Sequence, residues 1–221
     1  MADHEMRLHY EIGGGGTPVV FTSGWLNTAD VWSGAVQELG GGVRSVTWDL
    51  RGHGGSEPAP PGQYGRRYAL ADLDRMVEVA GAPAVLVGHS LGGYLSLAYA
   101  IEQPARVSAL VLVAAGPGFR SVENREQWNE SVRVTASTKE IPAGMEEITM
   151  HVDSMVIDRL GEITVPVVVI VGERDKRFLA SAGVFAKHLD VREQVIVPGA
   201  GHMVHVKHPA VVAGAVRSVA G

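Results

Sequence analysis

Ala84-Val85-Leu86-Val87-Gly88-His89-Ser90-Leu91-Gly92-Gly93, residues 84–93, is the stretch from which the rest of the chain is read. Its first four apolar residues suit a buried strand, and residues 91–100 read as a helix. A serine on the tight turn between them takes a strained backbone conformation that pushes its hydroxyl into the open. Gly88 and Gly92 are then steric necessities, because a side chain at either would collide where strand and helix cross. The same turn aims the unpaired N–H groups of the new helix at whatever Ser90 meets. A lone G-x-S-x-G says little; the strand before it and the helix after it make this one informative.

Outward from this turn, short β-rich runs alternate with helical patterns. Candidate strands lie at 7–12, 18–22, 43–48, 84–88, 109–114, 166–171 and 194–197, and candidate helices at 31–39, 68–80, 91–102, 177–188 and 209–219. This alternation predicts an α/β fold: a mostly parallel central sheet of about seven strands with helices on both faces. The glycine run at 13–16 reads as a flexible hairpin turn, since a strand and not a helix follows it. Residues 57–65, rich in proline and glycine, read as a surface loop. With 221 residues the chain is expected to form one domain, 1–221, long enough to bury about 70% of its unfolded surface. Residues 118–160 break the alternation with a polar, helical stretch, expected as a small cap insertion. Such an excursion serves either as a lid or as a plain two-helix crossover whose apolar residues pack on the sheet.

Composition excludes several roles. The formal charge of -5 comes from interspersed acids and bases, without the basic stripe of a nucleic-acid binder. There is no cysteine, so neither disulfides nor thiol catalysis applies. Residues 1–10 are polar, unlike a secretory leader, and no apolar run approaches a membrane span. The expectation is a cytoplasmic protein that binds neither nucleic acid nor membrane.

A serine hydroxyl becomes a good nucleophile only when a base takes its proton, and the base needs an orienting carboxylate. Both occur just past strands. The run Val167–Val171 leads into Gly172-Glu173-Arg174-Asp175, and Val195–Val197 into Pro198-Gly199-Ala200-Gly201-His202. Open α/β sheets build their sites at the carboxyl ends of strands, and the order Ser90, Asp175, His202 is the order of α/β-hydrolases.

With these residues in view the chain resembles an α/β-hydrolase fold protein of the single-domain serine esterase type with a short cap. Asp49-Leu50-Arg51-Gly52-His53-Gly54-Gly55-Ser56 is similar to the family's loop after the third strand. The resemblance covers nearly the whole chain, least in 118–160, and specifies fold far better than substrate. It implies Ser90 as nucleophile, His202 as base and Asp175 as its orienter, with residues 88–92 forming a nucleophile elbow. Leu91 and Trp25 would supply the backbone N–H groups of an oxyanion hole. Many relatives carry His-Gly before that second donor, whereas this chain has Ser23-Gly24, which leaves the anchoring of the loop in question. Serine at the elbow points to acyl transfer. The expected activity is therefore cleavage of small carboxylic esters or related acyl substrates through an acyl-enzyme, without cofactor or metal.

Bland readings stand beside these. Glu173 rivals Asp175, and Trp25, Phe119, Trp128 and Met150 suit either an acyl pocket or core packing. His89 is read as structural, His53 as bordering the site, and Asp49 and Arg51 as braces of loops. His202, His205 and His208 recur at helix-like spacing but lack the carboxylate companion of a metalloprotease pattern. The short insertion predicts a shallow or open pocket, one that the partner subunit of a homodimer could complete. The same constellation serves thioesterases, lactonases, C–C bond hydrolases and perhydrolases. A ligand-binding receptor or scaffold with little turnover is the alternative from another class.

Overall fold

Runs of valine, isoleucine and leucine become the strands of a seven-stranded sheet in the computed structural model, which describes residues 6–220. Residues 1–5, half of the stretch read as no secretory leader, and residue 221 lie outside the described residues. The strands are β1 (Tyr10–Gly13), β2 (Thr17–Thr22), β3 (Val43–Trp48), β4 (Ala84–His89), β5 (Val107–Val113), β6 (Val167–Gly172) and β7 (Val191–Val197). They lie in the order β1-β3-β2-β4-β5-β6-β7, antiparallel between β1 and β3 and parallel at every other neighbouring pair. The helices are α1 (Ser33–Leu39), α2 (Arg66–Ala80), α3 (Leu91–Glu102), α4 (Val122–Ala136), α5 (Met155–Asp158), α6 (Lys176–His188), α7 (Val204–Lys207) and α8 (Pro209–Val219).

Strand alternation splits the core between the two faces of the sheet. Val85 and Val87 of β4 share a buried cluster with Phe21, Trp32 and Val212, under α1 and α8. Leu86, between them, joins Val20, Met76 and Leu95 under α2 and α3, where Phe185 of α6 also packs. Burying each such side chain stabilises the fold by roughly 1.5–3 kcal/mol. The parallel register sets the carboxyl ends of the strands level: Thr22 faces Gly88, Gly88 faces Leu112, and Gly172 faces Val197. The loops that follow β2, β4, β6 and β7 therefore open along one edge.

One sequence expectation is corrected here. The glycine run at 13–16 does not make a hairpin between paired strands, because β3 lies between β1 and β2. It carries the chain past the start of β3, and Gly15 N–H donates to Gly41 O at 3.3 Å. Gly14 has φ +63°, and a methyl group there would stand 2.2 Å from Val43 O. The edge strands also differ from their expected bounds. β7 begins at Val191, ahead of the expected Gln194, because the exposed polar residues Arg192 and Glu193 gave no apolar signal.

Between β5 and β6 the chain forms α4, the short α5 and single turns, with most of α4 exposed. Ser121 caps α4 by accepting from Asn124 N–H at 3.3 Å. Two side chains tie this helix to the chain that follows it. Trp128 Nε1–H donates to Thr149 O at 2.8 Å. The buried Asn129 amide donates to His151 O at 3.0 Å and accepts from His151 N–H at 2.8 Å. Among the described residues no helix is long and apolar enough to cross a membrane.

Candidate active site

Ser90 stands alone between the end of β4 and the start of α3, with φ 52° and ψ −112°. A side chain in that region is strained by about 1–3 kcal/mol, and it persists only where the surroundings enforce it. The glycines on either side do so. A methyl group on Gly88 would lie 2.4 Å from Gly92 O, and one on Gly92 would lie 2.1 Å from Thr22 O. Strand, turn and helix can approach this closely only without side chains there. The Ser90 N–H donates to Val113 O at 2.9 Å, which locks the turn to β5.

Asp175 follows β6 and begins α6; its carboxylate is buried and lies 2.7 Å from His202 Nδ1. Its rival Glu173 turns to the histidine loop and accepts from Gly199 N–H at 2.8 Å. The His202 ring stacks on Phe178 with centroids 4.9 Å apart. Behind it, His89 Nε2–H donates to the His202 carbonyl at 3.1 Å, so the residue before Ser90 also holds the histidine loop. The His89 and His205 rings meet at a tilt of 37° with centroids 4.1 Å apart, and Trp32 lies against His205 at 4.6 Å. Burial drives the His89 pKa well below the ordinary histidine range and that of His205 to about 4. His205 is thus a core side chain, and among the described residues no three histidine or acidic groups converge as a metal site would require.

The loop after β2 comes against the elbow: a methyl group on Gly24 would stand 3.3 Å from Ser90 Cβ. The anchoring in question at Ser23 has a clear form. Ser23 Oγ donates to Thr28 O at 3.0 Å, and Asp49 accepts from Ala29 N–H at 2.7 Å and from Gly55 N–H at 2.8 Å. Leu26, held at φ 64°, donates its N–H to His53 Nε2 at 3.1 Å. His53 Nδ1–H in turn donates to Arg51 O at 3.0 Å, and Arg51 is paired with Asp72 at 2.7 Å. Burial lowers the His53 pKa, which keeps its Nε2 free to accept. Leu91, first in α3, has no intrahelical acceptor for its N–H.

Ser90 opens on a cavity of about 80 Å³. Leu91 and Tyr94 of α3 line it, with Arg177 and Phe178 of α6. Phe119, Trp128, Thr149 and His151, from the segment after β5, complete the wall. Of the side chains expected at a pocket, Phe119 and Trp128 are there. Met150 instead faces a separate surface groove beside Arg66 and Val152, and the Trp25 indole packs on the core. Tyr94, His151, Arg177 and Phe178 were not anticipated. Only Tyr94 had a sequence signal, four residues past Ser90 on the same helical face. His151 sits edge-on to Tyr94 and Phe119, and burial, with help from Arg66, lowers its pKa to about 4. Arg66 clamps Asp153 through two contacts of 2.6 and 2.7 Å and donates to Tyr94 Oη at 3.0 Å. The Asp153 carboxyl is held below its usual range by that guanidinium.

A mostly parallel sheet covered on both faces, with serine, acid and histidine on loops at its carboxyl edge, defines an α/β protein with a hydrolase-like site. The family model for the alpha/beta hydrolase fold matches residues 17–140, and the chain belongs to that family. A pimeloyl-[acyl-carrier protein] methyl ester esterase of Nitrosospira multiformis is 31% identical over 148 residues, covering 66% of this chain and 50% of that protein. The chain spans about half the length of the curated relatives it matches. Among solved structures, a bromoperoxidase from Bacillus anthracis superposes with TM-score 0.82 at 21% identity, over 98% of this chain and 96% of that one. An esterase from Exiguobacterium antarcticum gives 0.81 at 20%, over 97% and 96%. Both share the fold.

Proposed function

We propose that the chain is a cofactor-independent serine hydrolase of small carboxylic esters. One observation carries this reading: Ser90, forced into a left-handed turn, opens on a small aromatic cavity whose wall includes Phe178, the ring on which His202 stacks, and His202 is paired with Asp175 at 2.7 Å. Relatives named as methyl ester esterases support an ester as the substrate.

In this reading His202 Nδ1–H is held by Asp175, so Nε2 takes the proton of Ser90. Ser90 Oγ then attacks the ester carbonyl, and the N–H groups of Trp25 and Leu91 bind the oxyanion. Losing either donor costs about 3 kcal/mol in the transition state. His202 returns its proton to the departing alcohol, and a water that it deprotonates next cleaves the acyl-Ser90 ester. The segment after β5 supplies Phe119, Trp128, Thr149 and His151 to the cavity wall. Residues 118–160 act as a fixed cap within a single domain, because Trp128, Asn129 and Arg66 bind the segment to itself and to the core.

The test is hydrolysis of p-nitrophenyl esters from acetate to octanoate by wild type and Ser90→Ala. Turnover is expected on the shortest chains, decline as the acyl group outgrows the cavity, and a loss of at least roughly a thousandfold in the variant. Equal inactivity of both proteins on every ester would overturn the reading.

A further inference from the structure

The cavity beside Ser90 is walled mainly by aromatic rings, and Arg177 is its one formally cationic lining residue. Arg177 lines both that cavity and an open groove running past Trp128 to Asn124, Gln127 and Ser131. Its guanidinium lies 5.2 Å above the Trp128 ring, and among the described residues it has no carboxylate partner. The position is electrostatically awkward. Arg177 and Lys176 occupy the first turn of α6, where cations oppose the helix dipole, and the carboxylate at its cap, Asp175, is engaged by His202. A guanidinium kept at such a place, stacked and unpaired, is poised for an anion from outside the chain.

The neighbourhood adds to the positive field. Arg125 donates to the carbonyls of Phe119 and Arg120 beside the cavity wall, without a direct ion pair among the described residues, although Asp153 and Asp158 feel its charge. Inside, His151 is nine-tenths buried with Nδ1 unpartnered, and Arg66 and Arg125 both oppose its protonation. The cavity therefore offers a neutral polar ring within, apolar walls around it and a cation shared with the open groove.

We propose that Arg177 is a specificity residue that binds a carboxylate at the far end of the acyl group, so that the preferred substrates are monoesters of short dicarboxylic acids. This rests on the ester-hydrolase reading of Ser90. The acyl chain spans the cavity from Ser90, and its remote carboxylate meets the guanidinium in a charge-assisted, two-pronged pair.

Methanol release from monomethyl glutarate and from dimethyl glutarate tests it, since the two differ only in the remote group. The ratio of their kcat/KM values is expected to favour the monoester in wild type and to fall by about tenfold or more in Arg177→Gln, mainly through KM. Arg177→Lys should recover part of the ratio, and added salt should erode it, which a purely structural role for Arg177 would not produce. An equal loss on both esters in Arg177→Gln, or no preference in wild type, overturns the proposal. If neither ester is turned over, the p-nitrophenyl series decides the ester reading separately. Thermal stabilisation of Ser90→Ala by glutarate, compared with Ser90→Ala/Arg177→Gln, then decides: stabilisation lost with Arg177 supports the anion site, and none in either protein removes it.

Discussion

His53 illustrates how far a residue can act from the reaction it serves. Its ring accepts from Leu26 N–H at 3.1 Å and donates to Arg51 O at 3.0 Å, so it holds the residue after Trp25 in a left-handed conformation. Without that acceptor the strained Leu26 can relax, and the Trp25 N–H moves with it. On the mechanism proposed above, in which the oxyanion and not the ground-state ester needs that N–H, we expect His53→Phe to lower kcat on a short ester about ten- to hundredfold with little change in KM. A variant that raised KM at constant kcat would show that His53 shapes the pocket instead. The sequence marked His53 only as bordering the site. Its partner lies 27 residues away, in a loop whose course depends on the sheet having formed.

At the scale of elements, the turn from β4 to α3 was legible because its signal is local: an apolar run, two glycines and a helix that begins at once, although its clamps, Val113 O and Thr22 O, come from neighbouring strands. The β6 and β7 ends were legible for the same reason, and Asp175 and His202 do come together. The segment after β5 was not, and a lid could not be told from a crossover. What fixes it is side-chain to backbone bonding across 22 residues, which leaves no periodic trace. The rest of the cavity wall was hidden too, since His151, Arg177 and Phe178 join the expected Phe119 and Trp128 from distant parts of the chain. Likewise β3 enters between β1 and β2 through long-range pairing that a turn sequence does not encode. The Asn129 staple makes the segment testable as a unit. Asn129→Ala leaves the N–H and C=O of His151 without partners, so stability should fall by roughly 2–4 kcal/mol. Hydrogen exchange should rise across 118–160 while β4 and α3 stay protected. Unchanged exchange in that segment would mean that Arg66 and Asp153 suffice to hold it.

For the molecule as a whole, the buried histidines set a limit on the acid side. His151 and His205 titrate at about 4 in the fold, chiefly because burial disfavours their charged forms, and His53 and His89 are shifted in the same direction. In the unfolded chain a histidine titrates near 6.5. Above that pH the rings are neutral in both states and stability is complete. As pH falls below 6.5 the unfolded chain binds protons that the folded chain refuses, so stability declines, and it levels for His151 and His205 only below about 4. Each of these two groups then withdraws about 3 kcal/mol across that window. Urea unfolding between pH 7.5 and 4.5 should therefore show steep destabilisation well above the carboxylate range. His205 offers the decisive variant, because it is fully buried between His89 and Trp32 and neither ring nitrogen has a partner. His205→Leu removes a polar group that forms no hydrogen bond and keeps a similar volume, so stability at pH 7.5 should hold or rise by about 1 kcal/mol. In acid the same variant should lose distinctly less stability than wild type, having one proton fewer to take up on unfolding. Parallel curves for the two proteins would mean that His205 reaches water, and a proton, without the fold opening.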